Sequence, residues 1–162
     1  MRKKIKKEEE LPGIIRDLKT RGKRIVFTNG CFDLLHIGHI RYLEEAKALG
    51  DVLVVGVNSD SSVRKLKGLK RPILPEEERT EILSGLGCVD YVTLFDEIDP
   101  FKLITSLQPD VLVKGGDWTK EQIVGREVVE REGGEVVIIP FVKGASTSNL
   151  IETILQRYEK SA

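Results

Sequence analysis

The chain has 162 residues, which is the size of one ordinary domain and is long enough to bury a core without disulfides or a structural metal. Its 26 Lys and Arg residues balance 26 Asp and Glu residues, and this zero net charge excludes a general nucleic-acid binder, which needs surplus positive charge. The two cysteines, Cys31 and Cys88, lie far apart, so we expect reduced thiols and a cytoplasmic protein. The apolar runs Val52–Val57 and Val136–Val142 are too short to span a bilayer as a helix, so we expect no membrane partner.

The chain begins with a basic tail, which we expect to be solvated and frayed. A predicted helix over about Leu11–Lys19 follows this tail. We therefore divide the chain into an N-terminal tail and helix, residues 1–22, and one functional domain, residues 23–162.

Beyond residue 22, short β-branched and apolar runs alternate with segments of helical periodicity. The runs predict five strands, at Arg24–Thr28, Asp51–Val57, Asp90–Phe95, Asp110–Lys114 and Glu135–Ile139. The other segments predict six helices: from Ile37 to Leu49, from about Asp60 through Leu66, from Pro75 onward, and over Pro100–Leu107, Val124–Glu132 and Thr147–Tyr158. The helix that begins at Pro75 is expected to bury an apolar stripe of Ile82, Leu83 and Leu86. The predicted fold class is α/β, a single doubly wound, Rossmann-like, five-stranded parallel sheet flanked by helices.

Ligands of such folds bind beyond the carboxyl ends of the strands. The segment after the first strand contains neither a GxGxxG fingerprint nor a P-loop; instead His36 and His39, the chain's two histidines, flank Gly38 at a predicted helix start. Imidazoles there lie beside free backbone N–H groups, which suits a phosphate that gains negative charge during a reaction. Two other interpretations stay open: half of a zinc site with Cys31 or Asp33, or ordinary residues of a helix start.

Later segments after strands carry further candidate groups. Arg64, Lys65, Lys67 and Arg71 form a local basic cluster that would suit a substrate with several phosphates, although a solvated face explains loosely spaced cations equally well. The segment from Lys114 to Trp118 combines a tight glycine turn with the chain's one tryptophan, whose alternative role is a core or lid side chain. The sequence from Ser146 to Ser148 opens the last helix, either as a simple cap or as a phosphate site.

The sequence from Gly30 to His39 resembles the signature of the HxGH nucleotidyltransferase superfamily, in its cytidylyltransferase-like branch, and the similarity runs from about Lys23 to Ile154. The resemblance implies that residues 23–162 are a nucleotidyltransferase domain, with His36, His39 and Lys65 as catalytic residues. It implies nucleotide contacts from Gly30, Cys31, Phe32, Asp33, Gly38, Lys114, Gly116, Asp117, Ser146, Thr147 and Ser148. It implies substrate contacts from Arg71, Arg79 and Trp118.

Several further segments resemble one group within that superfamily, the adenylyltransferases that join AMP from ATP to D-glycero-β-D-manno-heptose 1-phosphate for lipopolysaccharide core biosynthesis. They are Asn58–Val63, Lys65–Gly68, Arg71–Ile73, Lys114–Asp117 and Ile123–Gly125. This resemblance implies ATP and a sugar phosphate as substrates, Mg²⁺ held through the nucleotide phosphates with no direct protein ligand, a homodimer, and a separate sugar kinase acting upstream. A glycerol-3-phosphate cytidylyltransferase is the alternative, although Phe141-Val142-Lys143 replaces the Arg-Thr-Glu of those enzymes. A nucleotide-binding module without catalysis is the alternative of another class.

Overall fold

The computed structural model describes residues 2–116 and 118–159. Its strands are β1 (Ile25–Gly30), β2 (Val52–Asn58), β3 (Tyr91–Phe95), β4 (Val111–Gly115) and β5 (Glu135–Ile139). Its α-helices, within those described ranges, are α1 (Leu11–Thr20), α2 (Ile37–Lys47), α3 (Asp60–Lys67), α4 (Glu76–Gly85), α5 (Phe101–Leu107), α6 (Arg126–Arg131) and α7 (Thr147–Tyr158). No helix of the described ranges combines the length and the apolar character that crossing a membrane requires.

The five strands form one parallel sheet in the order β3-β2-β1-β4-β5, which confirms the predicted fold. The chain starts at the centre of the sheet, runs outward to β3, and then crosses back to β4 on the other side of β1. The direction of winding therefore reverses between β1 and β4. Sheets of this kind bind ligands in the crevice outside the carboxyl ends of the two strands at such a reversal.

The pairing of β1 with its two neighbours is unequal. With β2 it extends over six residue pairs, from Ile25 opposite Val52 to Gly30 opposite Val57. With β4 the described residues pair only at Val26 with Val111 and at Phe27 with Leu112. The carboxyl ends of β1 and β4 consequently part, and this opens the crevice at the reversal point.

Both faces of the sheet are buried, which explains why its strands are continuous apolar runs. Phe27 packs with the side chains of α1 and α5, in a cluster that contains Ile15 and Ile104. Its neighbour Val26 points to the opposite face and packs in a second cluster with Leu43 of α2. Alternation along one strand thus fixes β1 between two helical layers.

The N-terminal segment differs from the expected frayed tail. The backbone N–H of Lys6 donates to the carbonyl of Val92 at 2.9 Å, and Ile5 forms a parallel bridge with the same residue of β3. Leu11 and Ile15 of α1 are buried in the core. Backbone hydrogen bonds and apolar burial therefore hold this segment against the edge of the sheet despite its basic composition.

The inner face of α4 also differs from the sequence prediction. Ile82, expected in an apolar stripe with Leu83 and Leu86, is 43% exposed. The buried residues of α4 are Arg79, Thr80, Leu83 and Ser84. The helix turns a mostly polar face inward because Arg79 finds hydrogen-bond partners there, a possibility that apolar periodicity cannot reveal.

Candidate active site

Two side-chain bridges join the parted ends of β1 and β4. The hydroxyl of Tyr42 lies 2.5 Å from the Thr28 hydroxyl and donates to the carbonyl of Val113 at 3.2 Å. One residue further along each strand, the Lys114 ammonium donates to the amide oxygen of Asn29 at 2.8 Å. These side-chain bridges connect β1 and β4 beyond the last backbone pair, so they fix the distance between the two strands at the floor of the crevice.

Lys114 brings a positive charge into this floor. Burial lowers the pKa of its ammonium group, although the neighbouring Cys31 and Asp99 act in the opposite direction. No carboxylate of the described residues forms an ion pair with it. A partly desolvated cation with an amide as its partner is well suited to attract a phosphate.

The two histidines stack at the start of α2. Their ring centroids are 3.9 Å apart, with 25° between the ring planes, and both Nδ1 atoms are buried without a partner among the described residues. Burial lowers the pKa of His36. Burial, together with the nearby charge of His36, lowers the pKa of His39 to about 4. Both rings are therefore neutral at pH 7 and present one N–H donor each.

Gly38 lets the start of α7 approach the histidines. A Cβ atom at Gly38 would lie 2.9 Å from His36 Nδ1 and 3.1 Å from the Cβ of Ala145. The Thr147 hydroxyl donates to the carbonyl of Leu34 at 3.1 Å, which ties the first turn of α7 to the loop before α2. Two helix N-termini thus meet at the crevice, and both present backbone N–H groups.

Ser146 and Ser148 flank Thr147 but stand in different surroundings. The Ser146 hydroxyl accepts from the Asn149 N–H at 3.0 Å and so caps α7. Ser148 is exposed. The cap and the phosphate site predicted from the sequence are compatible, because the remaining N–H groups of the first turn stay available.

Gly30 and Phe32 lie behind His39. The Phe32 ring is buried and lies 5.4 Å from the His39 ring at an angle of 57°. Phe32 adopts a φ of +44°, which is uncommon for a bulky residue and marks a constrained turn. A Cβ at Gly30 would lie 3.0 Å from the Phe32 ring. These two residues, predicted as nucleotide contacts, are placed to support an imidazole.

Asp33 and Arg71, predicted for different substrates, bind each other. The buried Asp33 carboxylate accepts from Arg71 Nε at 2.5 Å and from the backbone N–H groups of Ile73 and Leu74 at 2.9 Å. Burial alone would raise the pKa of Asp33, but these hydrogen bonds outweigh it and hold the pKa below its usual range. Asp33 thereby fixes the loop that carries Arg71 against the loop that follows β1.

Arg79 lies beneath the site, so the structure gives it a different role from the predicted substrate contact. Its side chain is completely buried and donates to the Cys31 carbonyl at 2.6 Å, to Asp60 Oδ1 at 2.8 Å and to the Leu74 carbonyl at 3.1 Å. The guanidinium thus joins the loop after β1 to the loop before α4. A planar fork with several donors is suited to such a junction.

The basic cluster of α3 is divided between two faces of the helix. Burial raises the pKa of the Cys31 thiol, and among the charges that oppose this rise Lys67 acts more strongly than Arg79 or Arg71. Lys67 therefore lies near the site. Lys65, the predicted catalytic residue, is exposed like Lys67, but residues two apart point about 200° apart around a helix. The sequence shows both lysines, but only the placement of α3 distinguishes them.

The ring of Phe141, which was not among the predicted site residues, packs against the glycine turn after β4. Gly116 has a φ of +108°, and a Cβ there would lie 2.4 Å from Cε2 of Phe141. Trp118 is 51% exposed after the same turn. Asp117, a predicted nucleotide contact, lies outside the described residues. The sequence signal for Phe141 was its departure from the Arg-Thr-Glu pattern, which bears on substrate choice.

The donor set near the histidines does not fit zinc. In the part of the chain that the structure describes, no group of three or more His, Cys, Asp or Glu side chains is placed to hold a metal ion. The Asp33 carboxylate, one of the candidate third ligands, is already engaged by Arg71 and two backbone N–H groups.

The sequence profile of the Cytidylyltransferase-like family matches residues 27–154, which include both histidines and the start of α7. The chain belongs to this family. Membership confirms the resemblance seen in the sequence and makes the chain a nucleotidyltransferase.

Curated relatives of this cytidylyltransferase-like chain are much longer proteins. It is 59% identical over 155 residues to the bifunctional protein HldE of Geobacter metallireducens, covering 96% of this chain and 32% of the relative. It is 60% identical over 151 residues to the bifunctional protein HldE of Geotalea uraniireducens, covering 93% and 31%. The chain thus spans about a third of the length of these relatives.

Solved structures agree with the family and the fold. A lipopolysaccharide core biosynthesis protein from Thermoplasma volcanium superposes with a TM-score of 0.63 at 35% identity, covering 76% of this chain and 100% of that one. Pantoate-beta-alanine ligase from Francisella tularensis, in complex with beta-gamma ATP and beta-alanine, superposes with a TM-score of 0.62, covering 94% and 78%. The second protein is 17% identical and shows the fold alone.

Proposed function

We propose that this chain transfers AMP from ATP to a sugar 1-phosphate, D-glycero-β-D-manno-heptose 1-phosphate, and releases pyrophosphate. The observation that carries the proposal is the meeting of the α2 and α7 N-termini at the β1/β4 crevice, with His36 and His39 between them. The similarity to a lipopolysaccharide core biosynthesis protein supports a heptose as the sugar.

The proposed reaction is an in-line displacement at the α-phosphorus. An oxygen of the sugar phosphate forms a bond to the α-phosphorus, and the bond to the bridging oxygen of the β-phosphate breaks. The attacking phosphate is already an anion at neutral pH, so no strong general base is needed. Catalysis then rests on positioning and on stabilising the charge that accumulates on the phosphate oxygens.

The described residues supply these two contributions. His36 and His39 offer N–H donors from a turn held rigid by Phe32 and Asp33. Lys114 supplies a fixed positive charge at the crevice floor, and the first turn of α7 supplies backbone N–H groups. Donors fixed before the reaction stabilise developing charge without reorganising.

Mg²⁺ is the proposed cofactor. It would be held by the β- and γ-phosphate oxygens and water, which suits an ion that keeps several waters and binds few protein groups. Bound there, it would neutralise charge on the leaving pyrophosphate. Removal of Mg²⁺ by EDTA should abolish pyrophosphate release and addition of Mg²⁺ should restore it.

A substrate panel tests the proposal. The protein is incubated with Mg²⁺, each nucleoside triphosphate and each candidate acceptor, and pyrophosphate is measured. Release from ATP and heptose 1-phosphate is the expected result. Release from CTP and glycerol 3-phosphate instead would establish a cytidylyltransferase, and nucleotide binding without turnover on any acceptor would establish a binding module.

We propose three properties of the working protein that the same material can test. Sedimentation should show a homodimer. A sugar kinase should supply the acceptor, and heptose without the 1-phosphate group should give no pyrophosphate. The protein should act in the cytoplasm, which the two free thiols of Cys31 and Cys88 support.

A further inference from the structure

Phe141 has a solvent-exposed apolar ring at the edge of the crevice. It lies two positions after the end of β5 and exposes 70% of its surface. We propose that the base of the donor nucleotide stacks on Phe141 and that the area of this stack favours a purine over a pyrimidine. The inference deepens the proposed nucleotidyl transfer and rests on it.

The backbone of β4 is shaped to accept this ring. A Cβ at Gly115 would lie 3.5 Å from Cε1 of Phe141, and one at Gly116 would lie 2.4 Å from Cε2. The Gly116 N–H donates to the Ile139 carbonyl at 3.0 Å, which extends the pairing of β4 and β5 to the residue beneath the ring. One edge of the ring is therefore supported by the sheet, while most of its surface is left free for a ligand.

The ring stands at the correct end of the site for a base. The groups suited to phosphate are the histidines, Lys114 and the first turn of α7. Phe141 precedes the α7 cap, Ser146, by five positions and borders the same strand, β4, that carries Lys114. A triphosphate bound at those groups would let its nucleoside extend along the rim toward the exposed ring of Phe141.

Stacking explains what an exposed phenylalanine contributes here. Every base has a π-face, and an aromatic side chain beneath it contributes substantially to binding without reading hydrogen bonds. A purine covers more of the ring than a pyrimidine does, so burial of the ring favours adenine. No charged group is needed for this preference, which is consistent with Phe141 replacing a position that is Arg in glycerol-3-phosphate cytidylyltransferases.

Calorimetric binding to the full chain tests the proposal. ATP, CTP and inorganic tripolyphosphate are titrated into the wild type, Phe141→Ala and Phe141→Trp, and Tyr158→Ala serves as the control because Tyr158 is 75% exposed at the far end of α7. We expect Phe141→Ala to weaken ATP binding by about 5- to 150-fold. In Phe141→Ala, the affinity for tripolyphosphate should stay within about twofold of the wild-type value, and the affinity for CTP should fall by a smaller factor than the affinity for ATP. Phe141→Trp should bind ATP about as tightly as the wild type.

Each other result overturns the inference. Equal losses for ATP and tripolyphosphate would place Phe141 with the phosphates, and unchanged ATP affinity would leave it no role in the base site. Equal losses for ATP and CTP would remove the purine preference. Because binding needs no turnover, a wild type that releases no pyrophosphate would end the proposed function while the ATP and tripolyphosphate comparison still decides the role of Phe141. A wild type that does not bind ATP would overturn both.

Discussion

His36 and His39 stack with their ring centroids 3.9 Å apart, and neither Nδ1 atom has a hydrogen-bond partner in the described part of the chain. Buried polar atoms without partners cost stability, so a protein that keeps two of them side by side has another use for them. Because both Nδ1 atoms are buried, we expect the Nε2 atoms of these partly exposed rings to contact a phosphate in the crevice.

Replacing His39 with Ala should leave a folded protein that has lost most of its turnover. Loss of one donor to developing negative charge lowers the turnover number by about 10²–10³. The turnover number is measured by pyrophosphate release at saturating substrates, with thermal unfolding as the check on folding. Normal turnover in a folded His39→Ala protein would remove His39 from the mechanism.

Stability should fall as the pH is lowered from 7 to 5. The folded His39 has a pKa of about 4 and the unfolded imidazole about 6.5, so in this window the unfolded chain binds a proton that the folded chain does not. The contribution of His39 to the slope of the unfolding free energy is at most about 1.4 kcal/mol per pH unit.

Denaturant unfolding of the wild type and of His39→Gln, measured at each pH, isolates this contribution. The slope should be smaller in the variant, and the part that remains comes from His36, whose pKa burial also lowers. Carboxylates titrate mainly below this window. Identical slopes in the two proteins would show that folding does not lower the pKa of His39.

Replacing Gly38 with Ala should impair catalysis much more than folding. The added Cβ would lie 2.9 Å from His36 Nδ1 and 3.1 Å from the Ala145 Cβ, so it displaces the imidazole and the start of α7 together. A misplaced catalytic group commonly costs about 10²-fold in rate.

Gly13→Ala is the matched control for this substitution. Gly13 is exposed within α1 and a Cβ there meets nothing within 4 Å. The control should keep full activity and gain about 0.5–1 kcal/mol of stability from helix propensity. Equal activities of the two variants would show that the close contact at Gly38 does not matter for catalysis.

Replacing Asp33 with Asn should destabilise the protein and weaken binding of the sugar phosphate. The carboxylate accepts from Arg71 and from the N–H groups of Ile73 and Leu74, and an amide cannot accept all three. The unfolding free energy should fall by about 1–3 kcal/mol, and KM for the acceptor should rise because the loop that carries Arg71 is loosened.

Asp96→Asn is the comparison variant, since Asp96 is an exposed carboxylate. It should change the unfolding free energy by less than about 0.5 kcal/mol. If Asp33→Asn matched this small effect and kept the wild-type KM, Asp33 would have no positioning role.

Lys67 and Lys65 should differ in their importance. Both side chains are exposed, but Lys67 is among the charges that act on the pKa of the Cys31 thiol and Lys65 is not. Lys67→Ala should lower kcat/KM by about tenfold or more, since one ion-assisted contact to phosphate is lost, and Lys65→Ala should change it by less than about threefold. The reverse order would support the catalytic role of Lys65 that the sequence predicts.

Local sequence patterns were sufficient to predict the order of strands and helices. Glu135–Ile139 and Thr147–Tyr158 have the predicted bounds, and the other elements shift by a few residues at most. The cause is physical: periodicity of two or 3.6 follows from which faces are buried, and caps and glycines act on their immediate neighbours. The His-x-Gly-His turn was visible for the same reason, because its chemistry is contained in four consecutive residues.

Contacts between distant parts of the chain were decided only by the tertiary structure. Asp33 and Arg71 were predicted to touch different substrates, yet they bind each other across 38 positions. Arg79 points inward to three oxygens, which come from two loops and from the start of α3. Whether a charged side chain can be buried depends on the hydrogen-bond partners that the folded sheet brings near it. The sequence of its own helix does not show which partners these will be.

The zero net charge of the chain excludes a general nucleic-acid-binding surface, but it says nothing about how charges are distributed around the site. The sequence by itself determined the fold class, the family and the histidine turn, because each is encoded in neighbouring residues. The folded chain decided that Lys67 rather than Lys65 lies near Cys31, and that Phe141 lies on Gly116 beside the crevice. Both contacts join separate segments that only the packing of the sheet brings together, so no local pattern predicts them. The reversal of winding between β1 and β4 does the same for Leu34 and Thr147, which are 113 positions apart and are joined by a hydrogen bond.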